Sequence, residues 1–148
     1  MSRQLRLMGF YFWILALFTV GRWALSFSGM SYAQGTHIFS LVPLALIASA
    51  HHAAFARAFQ GFGLKDALLL GALIGLVTQI VIFGSTVLSY GLGLSTFWNA
   101  PTALNQTEAV PLGAAVMART GGLVVNTLLN VIAALIGYVM GGSLKAGK

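Results

Sequence analysis

The feature that most constrains this chain is a set of four apolar runs, each about as long as a membrane-spanning helix. A helix needs about 20 apolar residues to cross the roughly 30 Å hydrocarbon layer of a bilayer. We predict spans at approximately 9–27, 37–55, 67–89 and 121–140. The pattern therefore predicts an all-α fold, a polytopic membrane protein organised as a four-transmembrane-helix bundle.

The composition favours lipid as the solvent of this chain. Of its 148 residues, 58% are hydrophobic and 7% are charged, whereas a soluble domain carries about 25% charged residues. The formal net charge is +6, but nucleic acid is not an expected partner, because the basic residues are scattered at the ends of the predicted spans. The length fits one membrane domain over residues 1–148, with an outer loop at 90–118.

The distribution of lysine and arginine predicts the orientation. With the N-terminus inside, the inner segments contain six of these residues and the outer segments contain two. Basic residues are enriched on the cytoplasmic side, so both termini are predicted to be cytoplasmic (N-in/C-in) in an inner (plasma) membrane of bacterial type. The inner residues are Arg3, Arg6, Arg57, Lys65, Lys145 and Lys148, and the outer ones are Arg22 and Arg119.

The last apolar run carries a row of polar side chains on one helical face. At 100° per residue, Arg119, Asn126 and Asn130 fall within about 40° of each other. A lipid-facing helix would not carry this row, so we expect a neighbouring helix, a water-filled cavity or a ligand to meet it. Gly137 and Gly141 continue the line toward the inner end, where they allow close packing.

The predicted orientation collects further polar residues in the outer half of the bundle. The planar fork of arginine suits a carboxylate, a phosphate or a lipid headgroup, so we predict an outer polar pocket for such a group. The alternatives are that Glu108 pairs with Arg119, that the asparagines link helices, and that Arg22 reaches the outer headgroups. The predicted pocket residues are Arg22, Gln79, Glu108, Arg119, Asn126 and Asn130.

A second pair of small residues, Gly71 and Gly75, lies one helical turn apart in the third run. Such pairs let another helix backbone approach closely. Together with Gly137 and Gly141, this pair is expected either to pack the bundle or to mediate assembly with other chains.

No catalytic or metal-binding group is predicted, and neither is a cofactor. The chain has no cysteine, and its two carboxylates, Asp66 and Glu108, are expected on opposite sides of the membrane. The weak haem candidates are His37, His51 and His52. His51 and His52 are adjacent and point about 100° apart, and His37 is expected on the same helix, about 21 Å from His51.

These features favour a non-enzymatic integral membrane subunit that packs into a homo- or hetero-oligomeric complex. Its polar pocket would hold a lipid headgroup or a partner group, and its expected partners are membrane lipids, other membrane subunits or a second copy. One alternative is an oligomeric channel or transporter for a small anion, using Arg22 and Arg119. A second is a haem- or quinone-linked membrane anchor of a redox complex.

Overall fold

The computed structural model describes residues 3–146, with side chains described for 3–144, and Lys148 lies outside the described residues. This part of the chain is helical and contains no strand. Four of its helices are long and apolar enough to cross a membrane, which confirms the predicted fold class at that level. In chain order the elements are α1 (Arg3–Leu7), α2 (Gly9–Phe27), α3 (Tyr32–Gly35), α4 (Leu41–Gln60), α5 (Leu64–Gly91), a 3-10 turn (Pro101–Leu104) and α6 (Leu112–Ala146).

Helix α4 begins four residues later than the second predicted span. Phe39 has a left-handed backbone with φ 49°, and the extended Ser40 forms the N-cap. A non-glycine residue at positive φ cannot continue an α-helix, so His37 lies in the turn before α4 and not on the helix. At the other end, Gly61 closes α4 with φ 67°, a common left-handed helix ending.

Helices α5 and α6 are longer than the predicted spans. The carboxylate of Asp66 accepts a hydrogen bond from the backbone N–H of Gly63 and so begins α5 at Leu64. Helix α6 begins directly after Pro111, not at Gly121, because proline suits a helix start. Gly121 and Gly122, the first residues of the fourth predicted span, lie inside its first third.

Glycines bring α6 against both α4 and α5. A Cβ on Gly137 would lie 2.7 Å from Ala50 Cα, and one on Gly141 would lie 2.9 Å from Ala54 Cα. Because the contacting residues advance in the same order, α4 and α6 run parallel. Gly137 and Gly141 are therefore occupied by packing within the chain.

The same arrangement joins α5 to α6 in antiparallel order. A Cβ on Gly71 would lie 2.6 Å from the backbone oxygen of Asn130, and one on Gly75 would lie 2.9 Å from Thr127 Cα. Helices that approach this closely gain van der Waals contact along their backbones. Helices α4, α5 and α6 thus form the tightly packed part of the bundle.

Helix α2 joins this group through larger side chains. Tyr11 and Leu15 are buried in the main apolar core, and the Tyr11 hydroxyl is hydrogen-bonded to Thr78 Oγ1. The opposite side of α2 is apolar and exposed, with Trp13 at 79% exposure. Such exposed apolar faces are expected for helices surrounded by lipid.

The two ends of the bundle differ in what covers them. One end, which we call the loop end, carries residues 28–40 and 92–111. The other end, the termini end, carries α1, the turn 61–63 and the last turns of α6. At the termini end, Arg57 donates to the backbone oxygen of Tyr138 (2.8 Å) and its guanidinium lies 4.0 Å from the centre of that ring.

Candidate functional site

A polar cavity of about 200 Å³ lies at the loop end, bounded by α2, α4, α5, α6 and residues 97–105. It exists because α4 is shorter than its parallel neighbour. Ala50 lies against Gly137, so Leu41, nine residues earlier, is level with Leu128. Helix α6 therefore extends about 24 Å beyond the start of α4, and the cavity lies in the space that α4 leaves open.

Arg22 forms one wall of the cavity although only 6% of its surface is exposed. Its Nη1 donates to the backbone oxygens of Gly35 (3.1 Å), Thr36 (3.1 Å) and Ile38 (3.0 Å). These carbonyls belong to the turn that leads into α4. The side chain therefore holds this turn in place while its charge remains at the cavity.

Aromatic rings cover the Arg22 guanidinium on two sides. The centre of the Tyr32 ring lies 5.3 Å from it and that of Phe97 lies 5.2 Å from it. A guanidinium over an aromatic face gains cation–π attraction, which strengthens when water is excluded. Both rings thus help to keep a charge inside the bundle without an acidic partner.

Arg119 forms the opposite wall from α6. Its Nε donates to Thr86 Oγ1 (2.9 Å) and its Nη2 donates to the backbone oxygen of Trp98 (2.7 Å). Thr86 Oγ1 donates to the same Trp98 oxygen at 3.1 Å. Among the described residues, Arg119 Nη1 has no hydrogen-bond acceptor.

The segment 96–105 forms the roof and is fixed by hydrogen bonds. Phe97 N donates to Ser26 Oγ (2.9 Å), and the Thr96 and Ser89 hydroxyls are 2.8 Å apart. The Asn99 side chain accepts from Thr96 N (2.8 Å) and donates to the backbone oxygen of Leu94 (2.8 Å). The roof is therefore an ordered part of the bundle, not a free surface loop.

Three polar side chains that line the cavity lack hydrogen-bond partners in the described chain. Trp98 is 3% exposed, and its Nε1–H is fully buried without an acceptor, which costs about 1–3 kcal/mol. Gln79 is also 3% exposed, and neither its amide nor that of Asn126 forms a hydrogen bond to any described residue. These two amides are open to the cavity and can pair with a group bound in it.

The beginning of α4 adds backbone donors to the same space. Ser40, Leu41 and Val42 line the cavity, and the Ser40 side chain makes no capping hydrogen bond. The first N–H groups of a helix have no partner within it and carry a partial positive charge. An acidic group in the cavity would meet these donors together with the two arginines.

The cavity has no compensating acid. Its lining contains no aspartate or glutamate, and the chain has only two such residues. Asp66 caps α5 at the termini end and also accepts from Gln4 Nε2 (3.2 Å), while Glu108 is exposed in the segment 105–111. Two guanidinium groups thus face one cavity with a net positive charge.

Four of the six predicted pocket residues line this cavity, namely Arg22, Gln79, Arg119 and Asn126. Glu108 does not, and the considered Glu108–Arg119 pair is absent, because Arg119 is turned toward Thr86 and Trp98.

Asn130 lies deeper, between α4 and α6. Its Oδ1 accepts from Ser49 Oγ (2.7 Å) and its Nδ2 donates to the backbone oxygen of Asn126 (2.8 Å). It links helices and does not face the cavity.

The three histidines lie apart from the cavity. His37 is exposed in the turn before α4, and His51 is exposed on α4. His52 Nδ1 is 2.8 Å from the backbone oxygen of Ala48, and its ring lies edge-on to that of Tyr11 at 6.3 Å. No observation joins these residues to the arginines.

The aromatic and backbone components of the site were not predicted from the sequence. Tyr32, Phe97 and Trp98 were visible only as loop residues, and an apolar dipeptide in a polar loop was the available signal that the loop turns inward. The uncapped start of α4 was hidden because we placed the helix start at residue 37.

A second cavity of about 360 Å³ lies on the other side of Tyr32 and Phe97. Two of its polar side chains are bonded within the chain: Tyr90 donates to the backbone oxygen of Val110 (2.7 Å), and Ser26 donates to that of Arg22 (3.0 Å). Its lining contains no arginine, so it lacks the guanidinium groups that mark the first cavity.

Comparison with family models, with curated proteins and with solved structures finds no match for this chain. The chemistry of the cavity is therefore the ground for a functional proposal.

Proposed function

We propose that this chain is a non-enzymatic integral membrane protein that binds an anionic group in the loop-end cavity. The observation that carries the proposal is the donor set: Arg22, Arg119 and the uncapped start of α4 meet at a cavity whose lining contains no carboxylate. A phosphate or carboxylate would supply the acceptors that these donors lack. The lining also contains no histidine, aspartate, glutamate or lysine, the side chains that most often act as general bases, which favours binding over catalysis.

The orientation is part of the proposal. With both termini cytoplasmic, as the distribution of basic residues favours, the cavity would open toward the outer side of a bacterial-type plasma membrane. It would then receive its ligand from the outer leaflet or from the outer solution.

The packing beneath the cavity supports binding over transport. Below Gln79 and Asn126, the helices close through Gly71, Gly75 and Gly137, where an added Cβ would overlap neighbouring backbone atoms. A small anion could pass only if these helices separated. The oligomeric channel or carrier is therefore the weaker alternative, and the haem-linked anchor has no supporting observation here.

We also propose that the chain is a subunit of a larger assembly, but one that is not held together by the glycine pairs. The four glycines are occupied within the chain, so contacts with other chains would use the exposed apolar faces. Native mass spectrometry from mild detergent tests this directly: co-purifying chains or a homo-oligomer would support the subunit role, and a monomer alone would contradict it.

Anion binding is tested with protein purified in phosphatidylcholine nanodiscs. Inorganic phosphate and phosphatidylglycerol, as soluble and lipid probes, are titrated against the original protein, Arg119→Gln and the control Arg6→Gln, which changes an exposed arginine of α1. We expect Arg119→Gln to weaken binding of whichever probe binds by about tenfold, since a hydrogen bond to a charged group contributes about 1.5–3 kcal/mol. Equal binding by all three proteins, or binding of neither probe, would contradict the proposal.

The orientation is tested by cysteine labelling, for which the chain offers a clean background because it has no cysteine. We expect Thr107→Cys to react with a membrane-impermeant maleimide added to intact cells, and Gln60→Cys to react only after permeabilisation. The reverse pattern would overturn the proposed N-in/C-in topology.

A further inference from the structure

Resting on the proposed function, we infer that the bound anion is a phosphate ester whose substituent carries hydroxyl groups, such as a glycerol phosphate headgroup. The lining of the cavity has two parts that differ in their hydrogen-bonding groups. One part presents only donors, and the other presents two amides that each need a donor and an acceptor.

The donor part is formed by the arginines and the start of α4. Arg119 Nη1 has no acceptor in the described chain, and Ser40 leaves the first N–H groups of α4 uncapped. Phosphate oxygens can each accept more than one hydrogen bond from such groups. This part matches the phosphate of an ester.

The amide part lies deeper and is formed by Gln79 and Asn126. Both approach Gly122: a Cβ there would lie 3.6 Å from Asn126 Nδ2 and 3.9 Å from Gln79 Oε1. Each amide has an oxygen that accepts and a nitrogen that donates. The two side chains therefore present both kinds of group at one place.

An ionised alkyl phosphate ester cannot satisfy both amides. Its oxygens only accept, so the amide oxygens of Gln79 and Asn126, which have no donor in the described chain, would gain none from it. A hydroxyl group both donates and accepts, and so can bond to an amide oxygen as well as to an amide nitrogen. A hydroxyl-bearing substituent next to the phosphate therefore fits the cavity better than an alkyl ester.

The dimensions are compatible with such a group. The cavity of about 200 Å³ equals the liquid volume of about seven waters at roughly 30 Å³ each. Helix α4, with 20 residues, is about 30 Å long and so matches the hydrocarbon thickness of a bilayer. Its start, which borders the cavity, would lie near the level of lipid phosphates, so the ester can belong to a lipid or to a soluble compound.

The experiment uses two pairs of probes that differ in hydroxyl content but not in charge. Glycerol phosphate is compared with methyl phosphate as soluble probes, and phosphatidylglycerol is compared with phosphatidylmethanol as lipids. Binding is measured to the protein in phosphatidylcholine nanodiscs. We expect the hydroxyl-bearing member of one pair to bind about tenfold more tightly, since each added hydrogen bond contributes about 1 kcal/mol. The pair that shows this preference identifies the source.

Two variants connect the preference to the amides. Gln79→Leu and Asn126→Leu, each compatible with an apolar helix, should reduce the preference to less than threefold, because each removes an amide that would pair with the hydroxyl group. Equal binding of both members by the original protein would overturn this inference and leave the proposed function standing. A preference that persists in both variants would also overturn it. Binding of no anionic probe would overturn the proposed function itself.

Discussion

The two halves of the bundle differ in how α6 packs against its neighbours. Toward the termini end, α6 approaches α4 and α5 through glycines, and little space remains between the backbones. Toward the loop end, α6 carries Arg119 and Asn126 and faces a cavity. The difference shows that small residues bring helices into contact, whereas long polar residues hold them apart and require another group between them.

The boundary between these halves is the start of α4. From the termini end as far as Leu41, α4 fills the space beside α5 and α6. Between Leu41 and the loop end, the roof segment 96–105 covers this space but does not fill it. The position of one helix start, set by Phe39 and Ser40, therefore divides the molecule into a closed part and an open one.

The largest expected effect breaks the closed half. Gly137→Leu would place a side chain against the backbone of Ala50, where even a Cβ lies 2.6 Å from the carbonyl carbon. We expect a loss of about 3 kcal/mol in the free energy of unfolding, because neither backbone can yield easily. The measurement is an SDS titration in mixed micelles. Gly84→Leu is the control, since a Cβ there meets nothing within 4 Å; similar losses for both variants would contradict this account of the closed half.

A smaller effect is expected in the open half. Arg22→Met removes the donor to three backbone oxygens of the turn 35–38 and should cost about 2 kcal/mol. The loss should be local, so limited proteolysis in nanodiscs should cut residues 28–40 faster while α5 and α6 stay protected. Arg6→Met is the matched control. A turn that stays as resistant as in the original protein would show that Arg22 does not hold it.

The third prediction tests the polar link between the halves. Ser49→Ala removes the donor to Asn130 Oδ1 and should destabilise the bundle by about 1 kcal/mol, near the value typical of hydrogen bonds between membrane helices. A double-mutant cycle with Asn130→Ala isolates the pair, and Ser95→Ala, at an exposed position, is the control. A coupling energy near zero would mean that close packing alone joins α4 to α6.

The smallest expected effect has the opposite sign. Thr127 Oγ1 is buried without a hydrogen-bond partner in the described chain, so Thr127→Val should stabilise the protein by about 0.5 kcal/mol. Thr86→Val is the contrast, because Thr86 Oγ1 bonds to Arg119 and Trp98; it should destabilise by about 1 kcal/mol. If both changes have the same sign, hydroxyl pairing does not decide stability at these positions.

The number and class of the long helices could be predicted because they follow from local composition. The polar face of α6 also followed from helical periodicity, which brought Arg119 and Asn126 to one side. The same periodicity could not separate Asn130 from them, since its depth depends on Ser49 of a neighbouring helix.

Other features could not be predicted because they arise from tertiary contacts. The positive φ of Phe39 accompanies a turn that Arg22 holds from another helix, so the start of α4 is not a local property. The inward position of Phe97 and Trp98 depends on Ser26 and Thr86, which are distant in sequence. Glu108 was the natural partner for Arg119 by charge, but the backbone oxygen of Trp98 accepts its hydrogen bond instead.

The packing of the last helix has a consequence for biosynthesis. Helix α6 contains the residues that close against Gly71 and Gly75 and that pair with Ser49. Until α6 has left the ribosome and entered the membrane, the first three long helices expose these small and polar surfaces. A chain interrupted before residue 112 would present the groove of an unfinished bundle, a feature that membrane chaperones and proteases can recognise. Quality control of this protein would thus depend on α6.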